Sequence, residues 1–156
     1  MINILYISDT GDIIGGGERS LLSLLTHLDR SRFRPILVVP GEGALTTAAR
    51  QRGITVVSIP FGNIGNLACL GTTIKAVRSL IAVVRQYSVH IIHTNATGGV
   101  VLLAGIAGRA TARPLIAHVR IMNTGLIADA FLRMFAHRII AISEYFLFKT
   151  FIHNNR

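Results

Sequence analysis

Acidic side chains are scarce in this sequence, and through its middle they are missing. No Asp or Glu stands between Glu42 and Asp129, whereas eight Lys or Arg do. A carboxylate pair for acid/base hydrolysis, or an Asp-rich cation site, would have to come from the seven acids outside that stretch. Cysteine occurs once, as Cys69. One thiol excludes a disulfide within the chain, and no Cys/His set has zinc spacing, so no metal site is expected. The count suits a reducing compartment, and the expected location is the cytoplasm. The opening residues, MINILYISD, carry no basic segment and no small-residue cleavage site, so no signal peptide is expected. Tryptophan is absent and aromatics make up 6% of the chain, which leaves no base-stacking platform and weighs against nucleic acid as a partner. The longest run without a charged residue lies between Arg85 and Arg109. It holds His90, His93, Asn95 and several glycines, so it reads as strand, loop and helix rather than a membrane span.

What is present is an apolar, basic chain. Its 156 residues are 51% hydrophobic, enough to bury one core, and 1–156 is expected to be a single domain. Sixteen basic residues, fourteen of them arginine, face seven acids to give a net charge of +9. Such a field favours anionic partners.

Apolar runs of strand and helix type alternate. Strands are expected at 2–8, 34–40, 55–60, 90–95, 114–121 and 137–143. Helices are expected at 18–29, 43–53, 71–87, 98–110, 126–136 and onward from 143 toward 153. Near-continuous apolar strands joined by helices predict a parallel sheet covered on both faces. The expected arrangement is Rossmann-like and doubly wound, with strand order 3-2-1-4-5-6. Ligands then bind at the carboxyl ends of the strands, where the order reverses between the first and fourth. That rule selects the loops at 8–17, 94–99 and 118–125.

The first of these loops contains "YISDTGDIIGGGERSLLSLL". Its glycines lie too far beyond the strand for a dinucleotide turn, and "GGGERS" lacks the lysine of a P-loop. "DTG" at 9–11 would need a paired second Asp in an all-β setting to act as an aspartic protease. A glycine loop at a helix N-terminus still favours an anion, through free N–H groups and the helix dipole. A plain turn with Glu18 complementing that dipole explains the same residues. Asp9 and Asp12 suit turn formation or hydroxyl binding, and Asn95 and Thr97 suit helix capping or hydroxyl binding. His93 reads as structural. Arg120, two positions after His118, falls on the same face and either meets a phosphate or lies solvated at the sheet edge.

The succession "GGGERSLLSLLTHL", "HIIHTNATGG", "LIAHVRI" and "HRIIAISEYFLFKTF" resembles the N-terminal domain of glycosyltransferase family 4 over the whole chain. The resemblance implies a retaining, metal-independent GT-B enzyme without cofactor, transferring sugar from a nucleotide sugar to a glycan or lipid-linked acceptor. It implies that Gly15, Gly16 and Gly17 lie near the donor diphosphate and the acceptor. His118 matches the active-site histidine, and Ser143 and Glu144 match the turn near the interdomain cleft. The donor-gripping domain of that family has no counterpart among these residues, so the chain by itself is expected to be inactive and to self-associate. The alternative is a non-catalytic basic module for anionic lipid or nucleic acid. On the helix at 71–87, Lys75, Arg78 and Arg85 share one arc, with Ile74, Val77, Leu80, Ile81, Val84 and Tyr87 opposite. That basic face suits either solvent or peripheral contact with an anionic membrane at its inner face.

Overall fold

The computed structural model describes residues 1–61, 64, 69–120 and 125–142. Strands and helices alternate along them: β1 (Ile2–Ile7), α1 (Gly16–His27), β2 (Phe33–Val39), α2 (Ala44–Gln51), β3 (Thr55–Ser58), α3 (Leu70–Gln86), β4 (Ile91–Thr94), α4 (Gly99–Thr111), β5 (Leu115–Val119), α5 (Leu126–Phe135) and β6 (Arg138–Ala141). The strands form one six-stranded sheet in the order β3-β2-β1-β4-β5-β6, with every pairing parallel. The expected α/β Rossmann-like order is therefore the observed one.

Alternation along the strands divides the interior into two cores. Leu5 and Ile7 of β1 point with Ile36, Val38 and Ile92 toward α3, α4 and α5. Ile4 and Tyr6 point with Leu37 and Val39 toward Leu21 and Leu25 of α1 and Leu45 of α2. The small residues of α4 let it pack against both α3 and α5. At Gly105 a Cβ would lie 2.2 Å from the Phe135 ring, so only glycine admits that α4–α5 approach.

Three local expectations need correction. α1 begins at Gly16 rather than 18, so two of the three glycines belong to its first turn. Here N–H groups lack intrahelical partners anyway, and glycine costs the helix little. On α3 the buried residues are Ala76, Leu80, Val83 and Val84, whereas Ile74 is 46% exposed, so the inward arc is rotated from the expected one. β5 ends at Val119, which leaves Arg120 just past the strand. The expected terminal helix, with Ser143 and Glu144, lies outside the described residues. No helix among the described residues is long and apolar enough to cross a membrane.

Candidate functional site

The reversal point between β1 and β4 opens a cavity of about 490 Å³ at the carboxyl edge of the sheet. Gly15, Gly17, Asn95, His118 and Arg120 all line it, together with Asp9, Thr10, Ile14, Glu18, Ala96 and Thr97. Gly16 is not part of the lining. Three separate loops thus meet where the strand order requires.

The wall built from the β1–α1 loop is internally bonded. Gly15 has no side chain to cap α1, so Glu18 reaches back and its Oε2 accepts from the Gly15 N–H at 2.8 Å. The sequence signal for this was Glu three residues past the N-cap. Glu18 therefore occupies part of the anion position that the helix N-terminus offers. Asp12 caps a different helix: its Oδ1 accepts from Ala44 N at 2.8 Å, and Gly11 O accepts from Leu45 N at 2.9 Å. A Cβ at Gly11 would lie 2.1 Å from Gly41 O, so this glycine is required by close backbone approach. No such reason applies at 15–17. A Cβ at Gly16 would meet nothing within 4 Å, and at Gly15 and Gly17 the contacts begin at 3.7 and 3.6 Å. Free space over successive glycines beside a cavity is what close approach of a ligand to backbone needs.

The opposite wall, from β4 and β5, is under-bonded. Tyr6 pairs in register with His93, and His93 with Ile116, which puts His118 on the same sheet face two residues on. The rings form a row, Tyr6 to His93 at 4.9 Å and His93 to His118 at 5.8 Å. Arg120 turns back so that its Nη2 lies 3.1 Å from His118 Nδ1. Asn95, only 6% exposed, donates from Nδ2 to Gly17 O at 3.3 Å and joins the two walls. Among the described residues, four buried side-chain atoms on this side lack partners: Asn95 Oδ1 and Arg120 Nε, on residues that line the cavity, and His93 Nε2 and Thr94 Oγ1, on residues that do not. Each such atom costs free energy until something pairs with it.

Electrostatics follow from burial. Burial, then the charges of His118 and Arg120, hold the His93 imidazole down at about 4, so it is neutral near pH 7. Burial and then Arg120 lower His118 as well. Burial lowers Arg120, with Glu18 acting in the opposite direction. Asp9 is raised, chiefly by burial, with Glu18 adding to the rise against its own backbone hydrogen bond. Two other histidines are structural: His90 Nδ1 accepts from Asn3 N and His137 Nδ1 from Leu115 N.

A parallel sheet of this order with a cleft at its reversal point defines a Rossmann-like α/β domain. Residues 14–147 match the family model Glycosyltransferase Family 4, and the chain belongs to that family. The fold is shared with several solved structures. Anabaena HepE, solved with UDP and glucose, superposes with a TM-score of 0.73 at 21% identity, over 96% of this chain and 40% of that one. A glycosyltransferase from Rickettsia africae gives 0.77 at 17% identity, over 95% and 39%. A UDP-N-acetylglucosamine 2-epimerase described as putative, from Listeria monocytogenes, gives 0.71 at 12% identity, over 99% and 43%. The chain thus spans about two-fifths of the length of these structures. No curated protein matches it in sequence.

Proposed function

We propose that this chain is the acceptor-binding N-terminal domain of a retaining, metal-independent glycosyltransferase that moves a sugar from a nucleotide sugar to a glycan or lipid-linked acceptor. The observation that carries this reading is the cleft itself, with glycines the fold does not need on one wall and unpaired polar atoms on the other. Asn95 Oδ1 suits a substrate hydroxyl, which can donate to it. Its orientation is set because Nδ2 faces the Gly17 carbonyl. Arg120 supplies a fixed positive charge where a leaving diphosphate gains negative charge, and His118 a polar contact to the transferred sugar. The UDP and glucose bound by HepE are the chemistry such a cleft would take. The epimerase neighbour shows that the fold alone leaves the reaction open, so transfer must be measured directly.

The test is sugar transfer from a panel of nucleotide sugars, by this chain alone and by the whole reading frame that encodes it. The expected result is no transfer by the chain alone. The whole frame should transfer, with a loss of tenfold or more in His118→Ala, corresponding to about 1.4 kcal/mol of transition-state binding. Transfer that His118→Ala leaves untouched overturns the site.

One observation favours a second reading, a basic surface for anionic lipid. Helices α3, α4 and α5 carry Lys75, Arg78, Arg85, Arg109, Arg113 at the α4 exit, and Arg133, while their only acid, Asp129, is buried. Co-sedimentation with vesicles of anionic and neutral phospholipid decides it. Equal binding to both, or to neither, removes the reading.

A further inference from the structure

We propose that Arg120 is a positioning residue that locks His118 in its Nε2–H tautomer, making His118 a hydrogen-bond donor in the cleft rather than a base.

A guanidinium has donors and no acceptor. With Arg120 Nη2 at 3.1 Å, His118 Nδ1 must be the acceptor, so a neutral ring carries its proton on Nε2. Protonating the ring would set N–H against N–H and place two cations in contact. The lowered proton affinity of His118 has the same direction.

The usual orienter of a working histidine is a carboxylate or carbonyl on Nδ1–H, which leaves the other nitrogen as the base. Here that orienter is replaced by a cation, and the sense of the ring is reversed. The charged and titratable groups around it are few. Tyr6 and Asp9 come from β1 and its loop, Glu18 from α1, and neutral His93 from β4. On β6 the paired residue is Ile140, with Arg138 two positions earlier. Among the described residues, no hydrogen bond or ion pair brings a carboxylate to the His118 ring. Glu18 instead bonds to Gly15 N.

The consequence for the reaction rests on the glycosyltransferase reading above. His118 would hold an oxygen lone pair, on a sugar hydroxyl or a phosphate, and could not take the acceptor's proton while Arg120 stays in place.

The experiment is long-range ¹H–¹⁵N correlation of the imidazole rings in the 156-residue chain at pH 7, followed by a pH titration. The expected result is a single Nε2–H tautomer for His118. Arg120→Met, which keeps the stem and removes the donors, should give mixed tautomers and raise the titration midpoint toward that of a free imidazole. Arg120→Lys, which restores a charged donor, should return the lock at least in part. An Nδ1–H tautomer in the wild-type chain overturns the proposal even if every variant unfolds. So does a folded Arg120→Met chain with tautomer and midpoint unchanged. The readout uses no substrate. A chain that transfers no sugar leaves it standing, and a wrong tautomer refutes it whether or not sugar is transferred.

Discussion

The two sides of the cleft differ in how their polar groups are paired. On the β1–α1 side, Gly11 O, Asp12 and Glu18 all bond to backbone N–H groups of the protein itself. On the β4–β5 side, among the described residues, Asn95 Oδ1 and Arg120 Nε go without. On the first side the backbone supplies the partners, whereas on the second Asn95 Oδ1 and Arg120 Nε are left without one among the described residues. Glycine loops draw attention in a sequence, yet the stronger demand for a partner comes from Asn95 and Arg120.

Four measurements break or sharpen this contrast. The largest effect is expected from acid. His93 is held down at about 4 in the folded chain against about 6.5 in an unfolded one, so the unfolded state binds its proton first as the pH falls. The contribution is intact above 6.5 and is lost between 6.5 and 4, amounting to roughly 3 kcal/mol. Urea unfolding at pH 7 and pH 4 should show the loss, and His93→Leu should abolish that share of it. An equal loss in the variant removes His93 from the account.

Next is Gly11→Ala, whose methyl meets the Gly41 carbonyl; it should cost about 1–3 kcal/mol in thermal unfolding. A neutral result would mean that the loop has room to shift.

A matched pair of threonines comes third. Thr46 Oγ1 donates to Gly43 O at 2.6 Å and accepts from Gly43 N at 2.9 Å. Thr94 Oγ1, fully buried on β4, has no partner among the described residues. Thr46→Val should lose about 1 kcal/mol or more, while Thr94→Val should be neutral or gain up to about 1 kcal/mol. Equal losses at both sites would refute the idea that Thr94 Oγ1 is buried without a partner.

The smallest effect belongs to Gly16→Ala, which enters open space in a first helical turn. Stability should stay within about 1 kcal/mol of the parent or rise. A large loss would show that the fold itself needs that glycine.

Strand order was legible because continuous apolar runs separated by helical patterns leave few topologies open. So was the meeting of the glycine loop, Asn95 and His118 at one edge, which follows from that order. The pairing of Arg120 with His118 was only half legible. Spacing of two places both on one face, but the course of the Arg120 side chain back onto the ring has no sequence signature. The orphaned oxygen of Asn95 was not legible either. It depends on the Gly17 carbonyl, 78 residues away, holding the other half of the amide. The inward arc of α3 was misjudged at Ile74 because a helical wheel has no knowledge of how close α4 will come.

The sheet order also sets a timetable for synthesis. Of these six strands β1 leaves the ribosome first, and β2 follows soon enough to cover one of its edges. Its other edge pairs with β4, and Asn3 meets His90 across 87 residues of chain. At ribosomal rates of about 5–20 residues per second, that edge stays bare for roughly 4–17 seconds. During that interval Ile4 to Ile7 present an open strand that any neighbouring nascent chain can extend. Slowing translation just before β4 should therefore increase co-translational aggregation, and a holdase chaperone that covers strand edges should suppress it.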